Sequence, residues 1–213
     1  MTGLVMSGAT MAEVWPLVRD FHYSKREPSS PIHAFALREP GGLFGDTGEP
    51  LAAITYSQPV SRNLPVNALE LSRLVRAEEY KGQISQFVSW SLRWLRVHSE
   101  RDLVLSYADS TQGHHGGIYQ ATNFHYVGSF DSGHIGYTCP DGSFIHRRAC
   151  NGRFGTSSQK EIARIKPDWR PVHAEPKHLY VYPLRMKWKR IAREYGWESK
   201  PYPKPDAAIA KTA

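Results

Sequence analysis

The chain has 213 residues, 40% of them hydrophobic, which is enough for a folded domain with its own core. No apolar run approaches the roughly 20 residues of a membrane span, and the first residues lack the basic stretch of a secretion signal. The two cysteines, Cys139 and Cys150, are interpreted as reduced thiols of a cytoplasmic protein rather than as a disulfide or a metal pair.

The net charge of +7 arises in the last third of the chain. Residues 1–142 hold 11 Lys and Arg against 14 Asp and Glu (−3), whereas residues 143–213 hold 16 against 6 (+10). Aromatic residues are interleaved with these cations: Trp169, Tyr180, Tyr182, Trp188, Tyr195 and Trp197. Cations and aromatic faces together suit phosphates and bases, so this region predicts nucleic-acid binding. A solubilising tail is the alternative interpretation.

The first half of the chain predicts a helix, a meander and a crossover. The first helix is predicted over residues 12–20, with Pro16 in its first turn. Apolar runs predict three antiparallel strands, at residues 32–38, 51–56 and 68–76. The strongest helical pattern follows at residues 83–98. Because that helix joins two strands, residues 68–76 and 103–107 should form parallel neighbours.

The segment from Leu103 to Phe130, LVLSYADSTQGHHGGIYQATNFHYVGSF, places polar residues and glycines between two apolar runs. The apolar runs at residues 103–107 and 126–130 predict buried strands, and residues 118–122 predict a short helix between them. Loops at the carboxyl ends of strands usually hold the sites of α/β folds, so we expect a functional site in this segment.

The remaining elements are predicted from local turn and periodicity signals. The dipeptide Asp141-Gly142 predicts a hairpin within residues 136–146. A short helix capped by Ser158 follows, then a strand at residues 178–184 and a basic helix at residues 186–195.

The central segment carries a resemblance to a known fold and family. A strand, a loop, a short helix with Ile118-Tyr119 and an Asn123-Phe124 turn resemble the second half of the GNAT acyltransferase fold. The block from Tyr107 to Phe124, with Phe21-His22-Tyr23-Ser24 and Leu71-Ser72-Arg73-Leu74-Val75-Arg76, is similar to the Mom family of phage DNA-modification proteins. Those GNAT-like proteins convert adenine in DNA to N6-carbamoylmethyladenine and so shield phage DNA from restriction.

The resemblance implies an α/β (α+β) fold with a GNAT-like mixed, mostly antiparallel sheet of about six or seven strands and helices on both faces. We expect a catalytic core in residues 1–150, a basic nucleic-acid-binding extension packed on it in residues 151–200, and a flexible tail in residues 201–213. The protein would act in the host cytoplasm if it is encoded by a phage. Two other functions stay open: a GNAT N-acetyltransferase for a small molecule or protein, and a DNA-binding protein without catalysis.

The resemblance and the residue chemistry together indicate five candidate catalytic residues: Asp109, Tyr119, His22, Tyr23 and His115. Adenine N6 is a poor nucleophile, so an enzyme must accept its proton, and Asp109 could do so unless it only caps the next turn. Tyr119 matches the GNAT position that protonates the leaving thiolate, with plain packing as the alternative. Tyr23 could stack on a flipped adenine, unless His22 and Tyr23 only form an aromatic corner.

The resemblance also implies binding sites for a donor and for DNA. An acyl-CoA-like donor would contact four residues before the long helix: Arg73, Arg76, Lys81 and Gly82. This loop departs from the GNAT pattern, with one glycine where two are usual and two carboxylates, Glu78 and Glu79, nearby.

Five basic residues are expected to contact the phosphates of double-stranded DNA: Arg147, Arg148, Lys187, Lys189 and Arg190. A two-histidine, one-carboxylate site for iron(II) could form from His22, Asp109 and His114. The sequence decides neither the donor nor the need for a metal, and it leaves the oligomeric state open, a homodimer included.

Overall fold

The computed structural model describes residues 3–41, 48–59, 64–65, 67–110, 113–131 and 133–204. Two compact units divide the chain: the first takes in residues 1–107, 116–128 and 179–203, and the second takes in residues 108–115, 129–178 and 204–213. Each unit is described by itself. No helix in the described part of the chain has the length and apolar character needed to cross a membrane.

The elements follow one another as β1 (Val5–Ala9), α1 (Met11–Phe21), β2 (Pro31–Arg38), β3 (Ala52–Ser57), β4 (Ala68–Arg76), α2 (Ile84–His98), β5 (Leu103–Asp109), α3 (Gly117–Gln120), β6 (His125–Phe130), β7 (His134–Thr138), β8 (Phe144–His146), α4 (Arg147–Phe154), α5 (Gln159–Ile165), β9 (Arg170–His173), β10 (Lys177–Pro183) and α6 (Trp188–Tyr195).

Seven strands form one mixed sheet in the order β1-β2-β3-β4-β5-β10-β6. Strands β1 to β4 are antiparallel neighbours, whereas β4 and β5 pair in parallel. The predicted fold class, the strand number and the parallel crossover are thereby confirmed. Strand β10 lies between β5 and β6, so the sheet takes in a strand from the region that the sequence analysis assigned to a basic extension.

Helices cover both faces of this sheet because β2 alternates its side chains between them. Ala34 and Ala36 pack in one cluster with Val14 and Val18 of α1. Phe35 points to the other face, where its ring contacts Trp90 and Trp94 of α2. Opposite faces of one strand therefore bury the apolar sides of two helices.

Helix α1 begins at a capping box rather than near its proline. The Thr10 backbone N–H donates to the Glu13 carboxylate at 2.7 Å, and the Glu13 N–H donates back to the Thr10 hydroxyl at 3.3 Å. These reciprocal bonds begin the helix at Met11 and leave Pro16 inside it. The prediction that Pro16 lies in the first turn is therefore wrong.

The second unit contains a three-stranded antiparallel sheet in the order β8-β7-β9. Strands β7 and β8 form the predicted hairpin. Helices α4 and α5 bury Cys150 and Ile162 beside Tyr137. Ser158 precedes α5 but makes no capping bond with its side chain, and the Thr156 hydroxyl donates to Glu161 instead. The predicted cap is therefore wrong, although the helix forms. Residues 205–213 of the predicted tail lie outside the described residues.

A glycine substitution tests the packing before α3. Gly116 has a φ of +82°, and an added Cβ would overlap the ring of Tyr180. Gly116→Ala should lower the free energy of unfolding by about 3 kcal/mol, since a left-handed backbone costs roughly 1–2 kcal/mol and the overlap adds to it. Urea unfolding measures this loss.

Gly196→Ala is the matched control in the same unit. Gly196 has a φ of +66°, but an added Cβ meets nothing within 4 Å, so only the backbone cost of roughly 1–2 kcal/mol applies. Equal losses in both variants would show that Tyr180 does not restrict position 116.

Candidate functional site

Strands β4 and β5 separate soon after they meet. Their parallel pairing covers three residue pairs and ends with Glu70 opposite Leu105, although β4 continues to Arg76. At the point of separation, the Ser106 hydroxyl donates to the Leu71 carbonyl at 3.4 Å. The gap between the diverging strands offers backbone groups and side chains to a ligand.

A register shift in β4 shapes one wall of this gap. Thr55 pairs with Arg73 and Tyr56 pairs with Leu71, so Ser72 is the extra residue of a bulge. The Ser72 hydroxyl lies 3.0 Å from the Thr55 hydroxyl and 2.8 Å from that of Ser57. Serine and threonine hydroxyls therefore hold the bulge in place from the neighbouring strand.

Arg73 ties the bulge to the segment that follows α1. Its Nε donates to the Arg26 carbonyl at 3.0 Å, and its Nη1 donates to the Ser72 carbonyl at 2.6 Å. Burial lowers the pKa of Arg73, while the nearby Tyr23 and Glu70 oppose that shift. The predicted donor-binding residue Arg73 therefore lies beside the predicted stacking residue Tyr23.

Tyr119 lies on α3 and is buried, with 9% of its surface exposed. Its ring packs against Phe124 and Tyr180, with centroids 5.3 and 5.2 Å away. Burial raises the pKa of Tyr119 to about 12, and a hydrogen bond with the Ser106 side chain opposes that rise. The phenol is therefore protonated at neutral pH and can donate a proton at the opening of the gap.

Glu70 is a carboxylate near Tyr107 and Tyr119 that the sequence analysis did not single out. It is half-buried on β4 between the buried Leu69 and Leu71. Burial is the main cause that raises the pKa of Tyr107 to about 12, and the negative charge of Glu70 is the second cause. The same charge contributes to the raised pKa of Tyr119. The alternation of apolar and polar residues in this strand predicts that Glu70 faces solvent. The one sequence feature that could have identified it is that it is a carboxylate in the strand before the crossover helix.

His22 and Tyr23 adopt different environments after α1. His22 is buried, and its Nδ1 accepts from the Ser24 backbone N–H at 3.1 Å. Its ring stacks on Tyr23 with centroids 4.4 Å apart, whereas Tyr23 itself is 52% exposed. The local turn therefore makes His22 part of an aromatic corner and leaves about half of the Tyr23 surface exposed.

Asp109 and His115 belong to the second unit, and Tyr23 and Tyr119 belong to the first. The Asp109 carboxylate forms an ion pair with the Lys177 ammonium at 2.9 Å. The Asp109 carbonyl accepts from the His114 N–H at 3.2 Å, so Asp109 also anchors the glycine- and histidine-rich loop. The catalytic role of Asp109 stays a prediction.

The predicted metal site is not assembled. Among the residues that the structure describes, no three His, Cys, Asp or Glu side chains are grouped to hold a metal ion. The His22 ring is bound to Ser24 of the first unit, and Asp109 is bound to Lys177 of the second. The proposed set of His22, Asp109 and His114 therefore has no support.

A cleft of about 880 Å³ lies at the start of α2. Lys81 and Gly82, both predicted donor contacts, line it beside Tyr80 and Gln83. Gln83 makes no capping bond with its side chain, so the first N–H groups of α2 face this region without that cap. Arg76 is exposed at the end of β4. A helix start with a lysine beside it suits a phosphate group.

The five predicted DNA contacts are exposed and fall in two groups. Lys187, Lys189 and Arg190 lie at the start of α6 in the first unit, where His125 stacks on Trp188 with centroids 3.9 Å apart. Arg147 and Arg148 begin α4 in the second unit. Each unit therefore presents basic side chains to solvent.

Comparison with solved structures defines the class of fold. Arabidopsis thaliana NAA60 in complex with a bisubstrate analogue superposes with a TM-score of 0.52 and 10% identity, covering 87% of this chain and 100% of that chain. The same protein in complex with acetyl-CoA gives a TM-score of 0.51 and 10% identity, covering 85% and 99%. The fold is that of the GNAT acetyltransferases.

Within that class, the sequence defines a narrower family. The model of the Mom protein family matches residues 4–204, and the chain belongs to this family. The chain is 25% identical over 138 residues to the methylcarbamoylase Mom of Escherichia phage Mu, a match that covers 64% of this chain. This chain spans 56% of the length of that curated relative, which is little more than half.

The pH dependence of stability tests the burial of Tyr119. Its folded-state pKa of about 12 lies above the value near 10 of an unfolded chain. The stabilisation from the protonated phenol is therefore complete below about pH 10 and is lost as the pH rises toward 12. Between about pH 9 and 11, the stability advantage of the wild type over Tyr119→Phe should shrink by about 1 kcal/mol in urea unfolding. A constant difference would contradict the burial of the phenol.

Proposed function

We propose that the protein is a DNA-modifying transferase that converts adenine N6 to N6-carbamoylmethyladenine and so protects DNA from restriction. The observation that carries this proposal is Tyr119, a buried, protonated phenol placed where β4 and β5 of a GNAT fold separate. Membership of the Mom family and the phage Mu methylcarbamoylase as a relative support the choice of reaction.

The donor is proposed to be a thio-linked molecule of the coenzyme A type. To give N6-carbamoylmethyladenine in one step, the donor would carry the carbamoylmethyl group on its sulfur. Displacement at the CH2 carbon would then form the N6–carbon bond and break the carbon–sulfur bond, releasing the thiol. Lys81 and the first N–H groups of α2 would hold its phosphates, and Arg76 would add a charge nearby. Arg73 lies at the gap, where it would hold the reacting end of the donor. The NAA60 structure with acetyl-CoA is an example of this fold with such a molecule.

Adenine N6 is engaged in its base pair, so the substrate is proposed to be double-stranded DNA with one adenine flipped out. The exposed face of Tyr23 would stack on the flipped base. Tyr119 would then protonate the departing sulfur, and its burial keeps the proton on the phenol until the bond to carbon breaks.

Mass spectrometry of nucleosides tests this function. DNA from cells that express the wild type should contain N6-carbamoylmethyladenine, and Tyr119→Phe should reduce its formation by on the order of 10²- to 10⁴-fold if the phenol is the acid. Tyr202→Phe is the control for loss of a structural phenol, because the Tyr202 hydroxyl donates to the Phe124 carbonyl at 2.7 Å. Acetylated protein or small molecules with unmodified DNA would indicate an N-acetyltransferase, and DNA binding without any product would indicate a non-catalytic protein.

The salt dependence of binding tests the basic residues of α6. Replacing Lys187, Lys189 and Arg190 by Ala should weaken binding to all DNA sequences alike and reduce the slope of log K against log salt by about 3, since each phosphate contact contributes roughly 0.9. Fluorescence anisotropy with a duplex at several salt concentrations measures this slope. An unchanged slope would place the phosphate contacts elsewhere, with Arg147 and Arg148 as the next pair to replace.

A further inference from the structure

Most of the second unit is an insertion between two neighbouring strands of the large sheet. Strands β6 and β10 lie side by side in that sheet, yet residues 131–176 separate them in the chain. Connections between neighbouring elements are usually only a few residues long. The inserted residues form their own sheet and bury their own cluster around Tyr137, Cys150 and Ile162. The insertion is therefore a folded module, and its exposed surface is available to a partner.

Helices α4 and α5 of this module follow one another through a tight turn at residues 155–158. Gly155 ends α4 with a left-handed backbone, at a φ of +69°, and Ser158 precedes α5. The Ser158 N–H donates to the Thr156 hydroxyl at 3.1 Å, and that hydroxyl donates to Glu161. A turn of this length with a glycine is typical of the helix-turn-helix motif, whose second helix enters the major groove of DNA.

The packing of α5 determines which of its side chains face solvent. Ile162 is fully buried beside Tyr137 and Cys150. With 3.6 residues per helical turn, Lys160 and Arg164 lie one turn apart on the face of α5 opposite Ile162. Both side chains are exposed. A short helix held by its buried side therefore presents two cations at a fixed spacing to solvent.

The charge of this helix pair suits a polyanion. Residues 147–166 contain six Lys and Arg and one acidic residue, Glu161, which accepts from the Thr156 hydroxyl. In the described part of the chain, no carboxylate forms an ion pair with Lys160 or Arg164. Trp169 packs against the core of the module, whereas single strands require an exposed aromatic surface for stacking. The observations therefore favour duplex DNA, whose major groove of about 12 Å admits an α-helix.

We propose that α5 enters the major groove of duplex DNA and reads base edges with Lys160 and Arg164. This inference rests on the proposed function and deepens it, because it names residues that select the DNA sequence around the modified adenine. The Arg164 guanidinium can donate two parallel hydrogen bonds to O6 and N7 of a guanine, and the Lys160 ammonium can donate to the same acceptors. Arg147 and Arg148, exposed at the start of α4, contact the phosphates beside the groove.

Selection from a pool of duplexes with a randomised central region tests this proposal, with the full-length protein and no donor present. The wild type should enrich a preferred sequence. Arg164→Ala should lose the preference for guanine at one position and should bind the enriched duplex roughly 10- to 100-fold more weakly in fluorescence anisotropy. Lys160→Ala should change the preference at a neighbouring position. Arg93→Ala, which removes an exposed arginine from α2, is the matched control and should keep the wild-type preference and affinity.

The pattern of sequence preference separates base reading from phosphate binding. A changed preference in the Arg164 and Lys160 variants, with wild-type midpoints in urea unfolding, supports the proposal. A wild type that enriches no sequence overturns it, as do variants that keep the wild-type preference. Variants that bind all duplexes equally weakly, with the preference unchanged, also overturn it, because the contacts would then be to phosphates.

Arg164→Lys decides the result if Arg164→Ala lowers the unfolding midpoint. Lysine keeps the charge but lacks the planar fork of the guanidinium, so a folded Arg164→Lys with an altered preference supports the proposal. An unaltered preference in that variant overturns it. Nucleoside mass spectrometry of DNA from cells that express the wild type tests the proposed function separately, because the binding assay contains no donor and forms no product.

Discussion

The short parallel pairing of β4 and β5 is the constraint on which the candidate site depends. The strands are joined at Ala68–Leu103 through Glu70–Leu105 and then diverge. The bulge at Ser72 and the guanidinium of Arg73 stabilise β4 on its other side through bonds to β3 and to the segment after α1. With β4 secured in this way, the strand continues to Arg76 beyond its last pair with β5.

Burial determines the acid–base character of this opening. A phenol removed from water resists ionisation, so burial raises the pKa of Tyr107 and of Tyr119 to about 12. Tyr56, which is fully buried and hydrogen-bonded to Ser91 at 2.7 Å, shows the same direction of shift. The charge of Glu70 acts on Tyr107 and Tyr119, and it also opposes the lowered pKa of Arg73.

The chemistry-bearing residues are divided between two compact units of the chain. The first contains Tyr23, Glu70 and Tyr119 with the cleft at α2, and the second contains the glycine- and histidine-rich loop bound through Asp109 to Lys177. Basic residues are exposed in both.

The sequence by itself determined the features that depend on local patterns. Helical spacing defined α2, the strand–helix–strand order implied the parallel pair, and Asp141-Gly142 defined the β7–β8 hairpin. The resemblance placed Tyr119 on a short helix beside the site. Periodicity, turn chemistry and chain connectivity act over neighbouring residues, so they can be recognised before the chain is folded.

Only the tertiary structure decided which distant residues meet. The insertion of β10 between β5 and β6, the ion pair of Asp109 with Lys177, and the position of Glu70 beside Tyr107 all join parts of the chain that are far apart in sequence. A strand pattern shows that Glu70 alternates with leucines, but its environment depends on which strands and helices cover that face. Burial and partner charges set the chemistry of a side chain, and both arise only when the separate elements pack together.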